Sequence, residues 1–243
     1  MTELKPSTGL YAGYFPDKTE GRNGRSACGP ALCDSKNREV RTNAANATIC
    51  RIMSAHAFTL FDTAVGRCGI AWGARGVVGV QLPERDDSAT QARLLRRFPD
   101  ACETAPSRAV QHAIDAIAAL LRGEMRNLSA IALDMDRVPP FHQRIYAIAR
   151  AIPPGATLSY GEIAARLGDR GAAREVGEAM GQNPFPIIVP CHRVVAAGGK
   201  VGGFSAAGGV TTKLRLLGIE GAQVAEAPTL FESLPLAARP RRG

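Results

Sequence analysis

The sequence predicts a small α/β domain followed by a mostly helical domain, with a long extension in front. Three short apolar runs between residues 57 and 82 are separated by glycine-bearing turns, which is the pattern of a small antiparallel sheet. From residue 107 onwards, apolar residues recur at intervals of three and four, which indicates helices. Residues 1–52 show neither period, and we expect them to form a disordered N-terminal extension.

Two helices are expected to follow the strands in the first domain. Residues 88–97 have helical character, with Asp87 or Ser88 as the N-terminal cap. Residues 107–122 form a stronger helix, because their apolar side chains share one face and Gly123 stops the pattern. No motif in this domain indicates chemistry.

The second domain is predicted to contain a helix-turn-helix. A helix begins at Phe141 and ends before the Pro-Pro-Gly sequence at 153–155. Ser159 and Glu162 form a capping box at the start of a short helix, and a further helix covers residues 172–182 after a glycine-bearing turn. This arrangement is typical of DNA-binding proteins, although helical hairpins are also common in protein cores.

These elements divide the chain into four parts. We assign residues 1–52 to the extension, 53–136 to the α/β domain, 137–222 to the helical domain and 223–243 to a flexible tail. We hypothesise that the extension is dispensable and that translation can start at Met53. A protein of residues 53–243 that failed to fold would refute this.

Composition narrows the class of protein. The 243 residues carry a formal net charge of +8, which favours a polyanionic partner without naming one. No apolar run is long enough for a membrane span and the start lacks a secretory pattern, so a cytoplasmic protein is expected. The six cysteines are scattered, which favours free thiols. Cys28 and Cys33 have no nearby histidine, so no metal site is predicted.

The strongest candidate site is the segment that ends at Cys191 and His192. Three prolines between residues 184 and 190 predict a rigid, extended stretch that delivers both side chains to a fixed place. A thiol is a good nucleophile only as the thiolate, and His192 and Arg193 stand next to it. An isolated Cys-His pair is more often a packing feature than a catalytic one, so the pair alone does not show that this segment is a catalytic site.

The sequence around this pair resembles that of a known family, the O6-alkylguanine-DNA alkyltransferases (methylated-DNA–protein-cysteine methyltransferases). The signature is Pro-Cys-His-Arg-Val at 190–194 after Asn-Pro-Phe-Pro at 183–186. The resemblance covers residues 57–222 and is closest after Phe141. Its other motifs are Ser-Tyr-Gly-Glu at 159–162, Ala-Ala-Arg-Glu-Val-Gly at 172–177, Gly-Gly-Phe-Ser at 202–205, and Lys-Leu-Arg-Leu-Leu-Gly-Ile-Glu-Gly at 213–221.

The resemblance implies a set of catalytic roles. Cys191 would accept the alkyl group, and His192 would take the thiol proton through a water. Glu220 would orient that histidine, and Asn183 would tie the second helix of the helix-turn-helix to the site. Tyr160 would crowd the phosphate of the flipped nucleotide and give a proton to the departing guanine, which makes guanine a better leaving group.

The resemblance also implies binding roles. Arg174 would enter the duplex as the guanine leaves the stack, beside small residues that allow close approach. Ser205 would face guanine O6, and the carbonyls of Cys191 and Val194 would accept from the exocyclic amine. The predicted DNA- and substrate-binding residues besides Arg174 are Ser159, Ala172, Ala173, Pro186, Val194, Phe204 and Ser205.

The implied reaction is a single irreversible transfer from O6 of guanine in duplex DNA to the protein, with base flipping through the minor groove and no cofactor or metal. The expected partner is duplex DNA containing O6-alkylguanine, and the protein is expected to be monomeric. O4-alkylthymine as a substrate and the preferred alkyl size stay open. The alternatives are a lesion sensor without chemistry, a thiol hydrolase that turns over, and a dimeric helix-turn-helix regulator.

Overall fold

A four-stranded sheet organises the first half of the chain. The computed structural model describes residues 55–223, and the predicted extension and nearly all of the predicted tail lie outside this range. Strands β1 (Ala57–Thr63), β2 (Gly66–Gly73) and β3 (Gly76–Gln81) form the predicted antiparallel arrangement. The turns between them place Gly66 at φ 125° and Gly76 at φ 134°, which only glycine adopts readily.

The sheet is mixed rather than purely antiparallel. A two-residue strand, β4 (Cys102–Glu103), pairs in parallel with β1, so the strand order is β3-β2-β1-β4. Strand β4 was not predicted from the sequence, because two residues are too few to show an alternating pattern.

Two helices complete this half, as predicted. Helix α1 (Asp87–Arg97) is capped by Asp86, not by Asp87 or Ser88, and the Asp86 carboxylate accepts from the Ala89 N–H at 2.7 Å. The prediction placed the cap one or two residues late because all three side chains can serve as caps. Helix α2 (Arg108–Leu121) covers all but the first and last of the predicted residues 107–122, and Ser107 is its N-terminal cap.

The second half is mainly helical. Helix α3 (Pro140–Arg150) starts with proline in its first turn, where no N–H is needed. Helices α4 (Tyr160–Arg166), α5 (Ala173–Gly181) and α6 (Val210–Ile219) follow. The capping box at α4 is confirmed, with Glu162 accepting from the Ser159 N–H at 2.6 Å. The short strands β5 (Leu158–Ser159) and β6 (Val194–Val195) pair in parallel.

One continuous cluster of buried side chains links the two halves. It includes Ile70 of the sheet, Ile117 of α2, Ile145 of α3, Val176 of α5 and the buried thiol of Cys191. The segment before Cys191 is therefore packed between elements of both halves. The boundary between residues 136 and 137 stays a prediction.

The cysteines of the described range differ in state. Cys68 and Cys191 are free and buried, whereas Cys102 is disulfide-bonded. The expectation of free thiols is therefore wrong for Cys102, because spacing along a sequence does not determine which side chains meet. Within residues 55–223, no helix is both long enough and apolar enough to cross a membrane.

Candidate active site

Asn183 holds both ends of the segment that leads to Cys191. Its side-chain amide donates to the Val189 carbonyl at 2.8 Å, and its carbonyl oxygen accepts from the Phe185 N–H at 2.9 Å. Between these contacts, Ile187 has φ 72°, a strained conformation for a β-branched residue. Such strain persists only where surrounding contacts over-determine the backbone, so this segment is held rigidly.

Cys191 lies at the start of a short 3-10 turn, and the residue is only 7% exposed. Burial raises the pKa of the Cys191 thiol, because a thiolate loses its hydration in the interior. A hydrogen bond from Asn183, the positive charge of Lys213 and nearby backbone N–H groups act in the opposite direction. The resting thiol therefore needs a base to become a nucleophile.

A buried carboxylate stands behind the histidine that follows Cys191. Glu220 Oε1 lies 3.0 Å from His192 Nε2, and Arg193 donates to both oxygens of Glu220 at 2.8 Å. Burial alone would raise the pKa of Glu220, but the hydrogen bonds from His192 and Arg193 outweigh it and lower the pKa to about 2. Glu220 is therefore ionised at neutral pH.

The charge state of His192 follows from its surroundings. Burial lowers its pKa, and the hydrogen bond and charge of Glu220 only partly offset that effect. The neutral imidazole then carries its proton on Nε2, facing the carboxylate. Nδ1 is buried and has no hydrogen-bond partner in the described part of the chain, so it is the nitrogen that can accept a proton.

Two cavities share Cys191, Phe204 and Ser205 in their walls. One of about 350 Å³ is also lined by Tyr160, and one of about 200 Å³ is also lined by Pro186. A larger cavity of about 650 Å³ lies elsewhere and does not include Cys191. The site is therefore identified by its chemistry and not by cavity size.

Tyr160 is held close to the glycine loop that forms one wall. A Cβ atom on Gly202 would lie 3.1 Å from the phenol oxygen, so the close approach requires glycine there. Burial, with a smaller contribution from Cys191, raises the pKa of Tyr160. The phenol therefore stays protonated at neutral pH and is available as a proton donor.

Lys213 is part of the site, although no role was predicted for it from the sequence. Its side chain is fully buried, and its ammonium group donates to the Val194 carbonyl at 2.5 Å. The same group lies 5.8 Å from the centre of the Tyr160 ring. A lysine on an otherwise ordinary helix gave no signal in the sequence, because burial of its charge depends on tertiary packing.

The structure brings most of the predicted residues together at Cys191. Those lining the two cavities are Asn183, Tyr160, Pro186, Cys191, Phe204 and Ser205. The carbonyls of Cys191 and Val194 already accept one hydrogen bond each, from the Val194 N–H and from Lys213, which leaves one lone pair on each.

Four of the predicted binding residues, Ser159, Ala172, Ala173 and Arg174, line neither cavity. The side chain of Ser159 accepts a hydrogen bond in the capping box of α4. Arg174 on the first turn of α5 is 89% exposed and pairs with Glu178 at 3.4 Å. Ala173 is half-buried, whereas Ala172 is buried rather than exposed as expected. Ala172 packs inward because it ends the turn between α4 and α5 instead of lying on the outer face.

The fold and the site define a two-part α/β and helical protein in which a free, buried thiol lines a pocket and is followed by a histidine paired with a buried carboxylate. The family model described as 6-O-methylguanine DNA methyltransferase, DNA binding domain, matches residues 140–222. This range contains Cys191, His192 and Glu220.

Relatives extend the match over both halves. A methylated-DNA–protein-cysteine methyltransferase of Mycolicibacterium paratuberculosis is 38% identical over 154 residues, covering 62% of this chain and 91% of the relative. One from Methanothermobacter thermautotrophicus is 33% identical over 153 residues, covering 63% and 78%. This chain belongs to the methylated-DNA–protein-cysteine methyltransferase family.

Solved structures agree with this assignment. The crystal structure of Mycobacterium tuberculosis O6-methylguanine methyltransferase is 32% identical, with a TM-score of 0.57 over 72% of this chain and 99% of that one. The crystal structure of Mycobacterium tuberculosis OGT in complex with DNA is 33% identical, with a TM-score of 0.54 over 68% and 92%. The α/β and helical halves of the present fold are thus those of solved alkyltransferases.

Proposed function

We propose that this protein repairs alkylated DNA directly, by moving the alkyl group from O6 of guanine in duplex DNA to the sulfur of its own Cys191. The observation that carries the proposal is the position of Cys191. Its free thiol lines a pocket, and the residue that follows it, His192, contacts the buried carboxylate of Glu220. Family membership supports the class of reaction, and this geometry supports the roles of Cys191, His192 and Glu220.

The first chemical step is activation of the thiol. Ionised Glu220 keeps the proton of His192 on Nε2, so Nδ1 accepts the thiol proton through an intervening water. The resulting imidazolium is stabilised by the carboxylate. Lys213 and the Asn183 amide support the negative charge that forms on sulfur.

The second step is alkyl transfer. The thiolate of Cys191 attacks the alkyl carbon, a carbon–sulfur bond forms, and the bond from that carbon to guanine O6 breaks. The bonding electrons pass to guanine, which takes a proton from Tyr160 and leaves as a neutral base. A thioether is not hydrolysed by a nearby water, so each molecule reacts once and the protein is consumed.

Base flipping requires contact with the duplex outside the pocket. We assign helices α4 and α5 to a helix-turn-helix that engages the minor groove, with residues 137–222 as the DNA-binding and active-site domain. Arg174 is the exposed cation at the start of α5 that would occupy the place of the extruded guanine. Because phosphate contacts contribute to such binding, affinity is expected to fall with salt.

The proposal is tested by mass spectrometry of the full-length protein after incubation with duplex DNA that contains one O6-methylguanine. We expect a gain of one CH₂ on the peptide that contains Cys191, with at most one per protein molecule. Binding without a mass gain would indicate a lesion sensor instead, and product in excess of protein would indicate a true thiol catalyst. The same assay with O4-methylthymine tests the second substrate, and sedimentation tests the monomer.

Replacement of Arg174 by alanine is expected to slow transfer on duplex DNA by roughly 10- to 100-fold, because extruding a stacked base costs a few kcal/mol. Transfer from the free base O6-benzylguanine should be unchanged, because no stacked duplex must be opened. Single-turnover rates on both substrates measure this. Arg122→Ala is the matched control, since Arg122 is an exposed cation paired with Glu124 near the end of α2. Equal losses on both substrates would contradict the role of Arg174.

A further inference from the structure

Two arginines of helix α1, in the first half of the chain, reach the pocket that contains Cys191. Arg93 and Arg97 are four residues apart and therefore share a face of the helix. Both line the cavity of about 200 Å³ that Cys191 also lines. Neither belongs to a motif of the second half, where the proposed catalytic residues lie.

Arg93 connects Glu84, in the first half of the chain, to the pocket wall that contains Ser205. One guanidinium nitrogen lies 3.1 Å from Glu84 Oε1, and the other donates to the Ser205 carbonyl at 3.2 Å. Glu84 is itself anchored, because it accepts from the Gln81 amide at 3.1 Å and its N–H donates to Thr90 at 3.0 Å. Arg93 therefore connects the anchored side chain of Glu84 to the backbone of Ser205.

The segment that contains Asn183 and Pro186, which also line this cavity, is attached to the same elements. The Val80 N–H of β3 donates to the Pro184 carbonyl at 2.9 Å, and Arg97 donates to that carbonyl at 3.3 Å. The turn that precedes Cys191 is thus fixed to β3 and α1. Both walls of the pocket are therefore attached to elements of the first half of the chain. The distance between the walls depends on these attachments.

The Ser205 wall has few such contacts. The hydrogen bonds around it join neighbours in the chain, such as Gly209 to Ala206 and Thr212 to Ala207. Within the described residues, the bond from Arg93 is the hydrogen bond that ties residues 202–206 to the first half of the chain. Without it, residues 202–206 would be held near Cys191 by packing alone, chiefly that of Phe204 and Ala206 against the core.

We propose that Arg93 is a positioning residue that sets the width of the pocket at Ser205 and thereby the size of the alkyl group that the site accepts. This inference rests on the proposed function, in which Ser205 faces guanine O6. Removal of the Arg93 link displaces the Ser205 donors, which slows methyl transfer. It also opens the wall, which relieves crowding of a bulky group.

The test compares single-turnover transfer from duplexes that contain O6-methylguanine or O6-benzylguanine. For Arg93→Ala in the full-length protein we expect the benzyl-to-methyl rate ratio to rise about tenfold, since a misplacement of about 1 Å can change rates 100-fold. Arg93→Lys should give an intermediate ratio, because one ammonium group cannot hold Glu84 and Ser205 together. Arg96→Ala removes the same charge from an exposed position on α1 and should leave the ratio unchanged.

The possible outcomes separate this inference from the proposed function. A ratio in Arg93→Ala equal to that of the wild type overturns the positioning role, whether or not both rates fall together, because a general loss of stability would affect both substrates alike. Absence of transfer from either duplex by the wild-type protein would instead refute the proposed function. A raised ratio that the lysine variant partly reverses supports the role of Arg93.

Discussion

Replacement of Cys191 by alanine is expected to abolish transfer of the alkyl group to the protein while leaving the fold and DNA binding intact. The sulfur is the proposed acceptor, and no other free thiol of the described residues lines the pocket. Alanine differs from cysteine by one atom, so the cost of the cavity should stay near 1 kcal/mol. Intact mass after incubation with methylated duplex measures transfer, and titration at fixed salt measures binding.

The matched control for this variant is Cys68→Ala, which removes the other free and buried thiol of the described chain. Burial raises the pKa of Cys68 to about 11, and it lies in β2 away from the pocket, so its loss should not affect transfer. A mass gain that persists in Cys191→Ala would place the acceptor elsewhere. Loss of both transfer and binding would show that the thiol has a structural role.

Features fixed by short-range sequence were predicted well. The capping box at Ser159 and the turns at Gly66 and Gly76 depend on residues within a few positions of each other. Helical periodicity likewise located α2 to within one residue at each end. The candidate residues of the second half came from the resemblance, and their roles stay predictions.

Features that depend on distant contacts were missed. The strand β4 exists because Cys102 meets β1, and nothing in its two residues indicates that pairing. Lys213 and Arg93 looked like ordinary surface cations, yet one is buried against Val194 and the other bridges to Ser205, 112 positions away. Such partners are set by tertiary packing, which periodicity and local motifs do not record.

Replacement of Glu220 by glutamine is expected to have the largest combined effect on stability and activity. Glutamine keeps the size of the side chain but removes the charge that pairs with buried Arg193. Leaving a buried guanidinium uncompensated costs about 3 kcal/mol. His192 also loses the carboxylate that holds its proton on Nε2, so single-turnover transfer should fall roughly 10²- to 10⁴-fold, the range for general base catalysis.

The same carboxylate gives a pH dependence that can be measured. The pKa of Glu220 is lowered from 4.5 to about 2 in the folded protein, so the unfolded chain binds its proton at higher pH. The contribution of ionised Glu220 to the free energy of unfolding is therefore fully present above about pH 4.5 and is lost as pH falls toward 2. Denaturant unfolding from pH 6 downwards should show a steeper loss of stability for the wild type than for Glu220→Gln.

Glu124→Gln is the matched control, because Glu124 also pairs with two arginines, Arg122 and Arg126, but is exposed. Exposed ion pairs contribute little to stability because water screens them, so this variant should unfold close to the wild type and transfer at the same rate. If Glu220→Gln were as stable as Glu124→Gln but slow in transfer, the carboxylate of Glu220 would support His192 as the base without contributing to the stability of the fold. If it were unstable but transferred at the wild-type rate below its unfolding temperature, His192 would not need the carboxylate, and the proposed activation of Cys191 would be wrong.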